Sequence, residues 1–599
     1  MKLELNRYHY RCVVTSGESS LISDEAVVSV PVTESGTWGT CDWEISGKGV
    51  LTIHSGTGAN NYNGTSPWSD YAEQITEIVA SEDIILPSGS CALFAIYWVE
   101  NYRPYSRCTK IDVSGLDTSN VTDMTRLFYG NTVLEHLDLS GFDTSNVTRM
   151  PFMFGECQKL QTLDISGFDT HNVTNMEYMF DKCWELTALD VSGFDTSKVV
   201  NMSNMFAGCR SLTSLDVSGF HTGLVTNMNK LFFECNGVTN LDVSNFDTSN
   251  VTDLSEMFAN CVSLQELDVS GFDTSHATKI DHMFQDCWEV PYLDVSGFDT
   301  SCATSMEAMF FECHTLTELD VSGFDTSKVT NLGGMFEYCY NLTSLDVSGF
   351  DTSSARNMNY MFTACSKVTE LDVSGFNTSN VTEMMNMFFE CNSLQSLDLS
   401  SFDTSNVTSM INMFGYCQSL QTIDVSSLET RNVKDIGAMF YMCTNLKELD
   451  LSTFEVGDDT KTEWLCRGCS ALTKLILPDS MKSVGELAFD GCPNITVYIH
   501  PGSYVEQYCI ENGINYVVSG ACEVHSWNAE YTIDKAATCT EEGSESIHCS
   551  VCGEIDWTTV RVIPIAGHQW NAEYTIDEEA TCVKDGRESI HCSVCDVID

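Results

Sequence analysis

Two segments near the end of the chain carry side chains suited to binding a metal. HSWNAEYTIDKAATCTEEGSESIHCSVCGE and HQWNAEYTIDEEATCVKDGRESIHCSVCD lie 43 residues apart, each with a leading His, an isolated Cys and a His-Cys-x-x-Cys knuckle. A Cys-x-x-Cys pair brings two thiolates to one tetrahedral ion, and a further His and Cys complete the ligand set of a structural Zn²⁺. The spacing predicts one Zn²⁺ held by His525, Cys539, Cys549 and Cys552, with His548 as an alternative ligand, and a second held by His568, Cys582, Cys592 and Cys595. Disulfide pairing competes with this reading if the chain meets an oxidising exterior. No thioredoxin-like βαβ pattern surrounds the knuckle, which argues against redox catalysis.

A second chemistry is spread over the body of the chain. Asp112, Asp138, Asp164, Asp190, Asp216, Asp242, Asp268, Asp294, Asp320, Asp346, Asp372, Asp398, Asp424 and Asp450 recur every 26 residues, fourteen copies without an insertion. Like charges about 5 Å apart repel by roughly 0.8 kcal/mol even at the dielectric constant of water, so something must offset the column. Hydrogen bonds from the following Ser, such as Ser166, or from nearby backbone amides would do so. The alternative is that this column and a second one (Asp143, Asp169, Asp195, Asp247) collect Ca²⁺ or a basic partner; no unit holds an EF-hand or RTX-type loop, which makes Ca²⁺ the weaker expectation. A third column, Cys157, Cys183, Cys209 and onward to Cys469, lies on the apolar stripe of the repeat, and stacked Cβ atoms near 4.8 Å are too far apart for disulfides. These thiols are expected to be reduced core residues. Asn131 stands at the Cys position of the first unit. Asn-Val-Thr triplets such as Asn120-Val121-Thr122 fit the glycosylation pattern, but helix capping explains them better, because Lys198 and Ser354 replace the Asn without disturbing the period.

The elements that must position these columns follow from the unit LQTLDISGFDTHNVTNMEYMFDKC at 160–183. Leu163 and Ile165 flank Asp164, so alternation puts the aliphatics on one face and Asp164 with Ser166 on the other, as in a short strand. Gly167 ends it, Phe168 returns to the core, and Asp169 to Asn172 supply turn and capping groups. Val173, Met176, Met179, Phe180 and Cys183 then fall within an arc of about 120° at helical period, which predicts an amphipathic helix of about three turns. The fold expected is an α/β solenoid, a curved superhelix with a parallel concave sheet and convex helices, because strands stack about 4.8 Å apart whereas helices need roughly 10 Å.

The boundaries expected are a truncated immunoglobulin-like fragment at 1–35, suggested by Tyr10 two before Cys12, and a β-rich cap at 36–107. Fourteen repeats follow at 108–470, then a second repeat style and cap at 471–519, and Cys/His modules at 520–567 and 568–599, the last cut short. Both termini read as truncation points. With 29 Lys and Arg against 85 Asp and Glu, a net charge of −56, the chain repels nucleic acid and anionic lipid surfaces. A hydrophobic content of 43% excludes a disordered acidic polymer. No window is long and apolar enough to insert in a membrane.

The motif LxxLDVSGFDTSNVTxMxxMFxxC, over about 108–470, resembles the BspA-like leucine-rich-repeat surface proteins, and 471–519 resembles their companion, treponemal repeat type. The resemblance implies a cell-surface or secreted protein, and adhesion to host matrix proteins as in some members. The sequence has no G-x-S-x-G, no H-E-x-x-H, no phosphate-cradling Gly loop and no His column beside the Asp and Ser columns, so no enzyme is expected. Apart from Zn²⁺ in the tail modules no cofactor is called for. The expected function is binding of an extracellular protein or glycan on the concave face. The residues expected there are His136, Asp138, Asp164, Asp190, Asp216, Asp242, Glu266, Asp268, Tyr292, Asp294, Glu318 and Asp320. The residue two before each Asp varies from coil to coil beside the fixed Asp and Ser, as a tunable surface requires. A passive stalk is the alternative.

Overall fold

The computed structural model describes residues 34–61, 64–95 and 106–518, with shorter stretches inside 9–27 and 527–590. The chain divides into two compact units, one of Met1–Thr473 with Lys482–Asn494 and one of Lys474–Met481 with Ile495–Asp599.

In the first unit the coils start on a six-stranded sheet. Strands β1 (Glu34–Trp38), β2 (Cys41–Ile45) and β3 (Val50–Ile53) are antiparallel, and β3 is followed by parallel β4 (Glu77–Ala80), β5 (Lys110–Asp112) and β6 (His136–Asp138). Leu51 pairs with Ile78, Ile78 with Ile111 and Ile111 with Leu137, so one row of aliphatics carries the core from the hairpin into the repeats. Ahead of this sheet, His9–Tyr10 pairs antiparallel with Ala26–Val27, and Val13–Ser16 with Ser19–Ile22; Cys12 lies outside the described residues.

Alternation identifies the core correctly. Leu163, Ile165, Phe168, Val173, Met176, Met179, Phe180 and Cys183 are all buried, as are most of their equivalents around the array; Leu137 and Ile423 are half-buried. The Phe180 column stacks ring on ring from Phe94 to Phe440, with centroids 5.5 to 5.8 Å apart. The cap joins it through Trp68 on Phe94.

The helix expected after each turn does not form. Residues 176–183 make successive turns in which Tyr178 and Lys182 adopt φ of 55° and 57°. The same two positions are left-handed in other coils, at Phe152 and Glu156 and at Glu256 and Asn260. Each left-handed residue swings a peptide out of helical alignment, so the amides divide between two directions. Met179, Asp181 and Cys183 donate three residues back, to Met176, Tyr178 and Phe180, at 3.1 to 3.2 Å. Met176, Tyr178, Phe180 and Lys182 donate instead to Asn201, Ser203, Met205 and Ala207 of the next coil. An α-helix spends nearly all its amides on itself. Here the coil gives four to its neighbour, and those bonds, about 1 kcal/mol each, offset the roughly 1–2 kcal/mol of a left-handed non-glycine residue. Isolated parallel bridges such as Asn175↔Asn201 and Thr162↔Ala188 mark two ladders of each coil. With strand-like stacking at both, the helix-to-strand width mismatch that predicted curvature is missing.

Asn side chains also link coils. Asn146, Asn172 and Asn250 donate from Nδ2 to the carbonyls of Ser119, Ser145 and Gly223 at 2.8 to 3.0 Å, so inter-coil bonding rather than helix capping explains these positions.

In the second unit, strands Lys474–Ile476, Thr496–Ile499 and Tyr516–Val518 are parallel. They hold α1 (Tyr504–Asn512), the one α-helix among the described residues. Ser503 Oγ accepts from the Glu506 amide and Glu506 Oε2 from that of Gly502, and Gly513 at φ 66° ends the helix. A three-stranded antiparallel sheet follows, Thr532–Lys535, Gly543–His548 and Ile555–Ile563.

Candidate functional site

Of the eight tail residues predicted to hold zinc, only Cys549 is among those described; it is buried, next to the sheet residue His548. His525, Cys539, Cys552, His568, Cys582, Cys592 and Cys595 lie outside the described residues. His548 makes a 2.6 Å contact from Nε2 to Asp534 Oδ1. Among the described residues no His, Cys, Asp and Glu group could hold a metal.

The Asp column sits on the outer side of the strand face. Asp138, Asp164, Asp190, Asp216, Asp242, Asp268 and Asp320 are exposed and Asp294 is half-buried, while His136, Glu266, Tyr292 and Glu318 project beside them. The repulsion is met locally. Asp164 Oδ1 accepts from the Ser166 amide at 3.1 Å and hydroxyl at 2.7 Å, and Asp242, Asp268 and Asp320 repeat the pair with Ser244, Ser270 and Ser322. Hydroxyl first and amide second, these bonds hold the carboxyls of Asp164, Asp190, Asp242, Asp268 and Asp320 below their ordinary value of 3.8. The second column uses the same device: Asp247 Oδ1 accepts from Ser249, and His171 replaces the Ser beside Asp169 with an Nδ1 contact of 2.6 Å. All these bonds go to Oδ1, so Oδ2 of each strand Asp remains for an outside partner.

A depressed folded pKa contributes stability that is present above the unfolded value and is lost as pH falls through the folded one. The array should therefore lose stability below about pH 3.8, and an acid titration followed by circular dichroism checks this. Millimolar Ca²⁺ should raise the melting temperature no more than a monovalent salt of equal ionic strength, because screening alone relieves the repulsion. A saturating Ca²⁺-specific shift, lost when Asp216, Asp242 and Asp268 are changed to Asn, would contradict this.

Two grooves open on the strand face. One of about 600 Å³ is lined by Tyr292, Asp294, Ser296, Glu318, Asp320, Asp346, Glu370 and Asp372, with no Lys or Arg among its walls. Tyr292 is 59% exposed, a large ring with no covering. The other, about 380 Å³, gathers Lys110, Asp112, His136, Asp138 and Asp164. Lys110 is already held by Glu77 at 3.3 Å, so this end is partly neutralised. Thus the structure brings Tyr292, Asp294, Glu318 and Asp320 together, places His136, Asp138 and Asp164 apart from them, and leaves Asp190, Asp216, Asp242, Glu266 and Asp268 in neither groove.

What positions the face was missed in the sequence. The Thr of each Asp-Thr pair is buried, and its hydroxyl donates to a carbonyl of the next coil; in several coils it also accepts that residue's amide. Thr170 Oγ1 donates to the Asp195 carbonyl at 3.0 Å and accepts from the Asp195 amide at 2.8 Å. Thr222 repeats this with Asp247. Beneath lies the thiol ladder: Cys157, Cys183, Cys209 and Cys261 each donate S–H at 3.2 to 3.3 Å to the Phe carbonyl 29 residues earlier. Asn131 explains its own departure from Cys, since its Nδ2 donates to the carbonyls of Phe94 and Phe128, both at 2.8 Å.

Two family models match the chain. The model described as "Mycoplasma protein of unknown function, DUF285" matches residues 100–214, 180–292, 279–371 and 362–477, and that of the BspA type leucine rich repeat region matches 460–516. No curated protein matches the chain. Among solved structures, a leucine-rich repeat protein from Bacteroides ovatus is 15% identical with a TM-score of 0.34, covering 82% of this chain and 100% of its own. A leucine rich cell surface protein from Faecalibacterium prausnitzii is 16% identical with a TM-score of 0.24, covering 80% and 97%. The functional domain of InlJ from Listeria monocytogenes, described as including a cysteine ladder, is 15% identical with a TM-score of 0.24, covering 87% and 92%. The chain belongs to the DUF285 family and is a BspA-like leucine-rich-repeat protein.

Proposed function

We propose that this is a non-enzymatic cell-surface or secreted protein that binds a basic segment of an extracellular protein, in the manner of an adhesin. The observation that carries the reading is the 600 Å³ groove, where Tyr292 stands exposed among carboxylates with no base in its walls. Exposed aromatics set in a rim of uncompensated charge supply both an anchor and electrostatic steering. The Oδ2 atoms left over by the Asp–Ser bonds are acceptors for Lys and Arg.

Surface plasmon resonance of the full chain against a panel of matrix proteins tests this. Binding should weaken with salt, and Tyr292→Ala with Glu318→Gln and Glu370→Gln should lower affinity about tenfold or more, the equivalent of about 1.4 kcal/mol. Affinity that ignores these changes, or no binding across the panel, would leave the stalk reading in possession.

A further inference from the structure

A different coil surface carries a second candidate site. At the first left-handed position and the residue before it, the coils carry pairs such as Glu177-Tyr178, Glu307-Ala308 and Asn359-Tyr360, but one coil carries Gly333-Gly334. Removing both side chains opens a cleft of about 380 Å³ over the pair, walled by Phe311, Tyr360, His282, Glu307, Glu337 and Asn357. Gly334 is not required by its φ of 61°, because Tyr360 adopts the same value in the next coil. The glycine is therefore there for space.

The polar groups around the cleft fall into two sets. Some are fixed by the chain: His282 Nδ1 meets Gln285 Oε1 at 2.6 Å, Glu307 Oε2 accepts from Asn331 at 2.7 Å, and Asn357 Oδ1 accepts from the Asn359 amide at 2.9 Å. What these bonds leave over are amide donors, Asn357 Nδ2 and the second hydrogens of Gln285 Nε2 and Asn359 Nδ2, and several acceptors, His282 Nε2, the second oxygen of Glu307 and the Glu337 carboxyl. Burial first, and then the charge of Glu312, push Glu337 up to about 7, so that it both donates and accepts near neutral pH. An ammonium group, which only donates, would face the Asn357 donor, and an anion would face the carboxylates. Hydroxyl groups do both.

Aromatic rings run outward from the same cleft. Phe311 meets Tyr338 edge-on at 5.7 Å, Tyr338 meets Tyr340 at 5.7 Å, and Tyr340 meets His314 at 5.3 Å. His314 in turn stacks on Trp288 at 5.6 Å and 16°. Trp288 and Tyr340 are 40% and 38% exposed. A cleft with few convergent polar groups joined to an exposed aromatic platform suits a ring that is apolar on its faces and hydroxylated on its edge.

We propose that the Gly333-Gly334 cleft and the Trp288–His314–Tyr340 band together bind a neutral oligosaccharide. The site is independent of the strand-face groove and stands whether or not that groove binds protein.

Calorimetry of the full chain with a panel of neutral oligosaccharides of glucose, galactose, mannose and N-acetylglucosamine tests it. At least one should bind saturably at one site, with quenching of Trp fluorescence. Gly334→Tyr, which refills the cleft with a side chain that Tyr360 shows to fit this backbone, should abolish binding, and Trp288→Ala should weaken it about tenfold. Tyr292→Ala, in the strand-face groove, should leave it unchanged, so the two readings fail separately. The proposal is overturned if no sugar in the panel binds at millimolar concentration, if binding survives Gly334→Tyr with melting temperature intact, or if an N-acetyl-lysine amide occupies the cleft in place of the sugars.

Discussion

Above pH 9 the coil array is expected to lose stability steeply and to unfold well before an ordinary protein of its size. Burial holds the thiols of Cys157, Cys261, Cys339 and Cys391 up at about 12 against an ordinary 9.0. It pushes Cys183, Cys209, Cys235, Cys287, Cys313, Cys365 and Cys417 well above 9.0 as well. A raised folded pKa contributes stability that is complete below the unfolded value and lost as pH rises toward the folded one. Each thiol that ionises only in the unfolded chain removes about 1.4 kcal/mol per pH unit. Because the thiols act together in one array, the slope should be several times that of a single group. An alkaline titration followed by circular dichroism measures it. Replacing Cys235, Cys261 and Cys287 with Ala should reduce the protons released on unfolding by about three. Rapid alkylation of the ladder in native protein at neutral pH would remove the premise.

Thr170→Val should cost about 2–4 kcal/mol, an effect out of proportion to the exchange of a hydroxyl for a methyl. The hydroxyl satisfies both the amide and the carbonyl of Asp195 in the next coil, and Val leaves both without a partner beside a side chain 1% exposed. Thr170→Ser keeps the latch and should cost less than about 1.5 kcal/mol, since only a methyl is lost. Contacts in a solenoid run between neighbours, so the damage should appear as one weakened interface rather than uniform softening. Hydrogen exchange should show protection lost around 160–200 and retained near 400. Equal effects of Val and Ser would show that packing, not the latch, is what matters.

The core and the thiol ladder were legible in the sequence because both depend only on a period. An apolar stripe at offsets of three and four residues marks the buried side of a helix, and it marks equally the buried side of two successive turns. The backbone was therefore misread while Met176, Phe180 and Cys183 were correctly placed inside. The clue lay in Asn204, Gly208, Asn260, Asn386 and Gly468, residues that tolerate the left-handed conformation and recur at the two positions that adopt it. The Thr latches were not legible. A hydroxyl that bonds to a backbone 25 residues away looks in sequence like a turn residue, as Thr170 does within Asp169 to Asn172. The offset of the Asp charges was legible because Ser166 lies two residues from Asp164, a purely local arrangement. Tyr292 and its acidic neighbours could be named one by one, but which of these carboxylates share a groove required the stacked coils.

Nearly every bond that joins the coils spans about one period, and some join a residue to its own counterpart, as Thr174 to Thr148, Val200 to Thr174 and Thr226 to Val200. Removing or duplicating a whole 26-residue segment would hand each donor an equivalent acceptor and leave no orphan at the joint. Gene recombination between misaligned copies thus yields a foldable product, whereas gain or loss of a single residue would not. The array can change length over generations in whole coils, and each new coil arrives with its variable outward residues free to diverge.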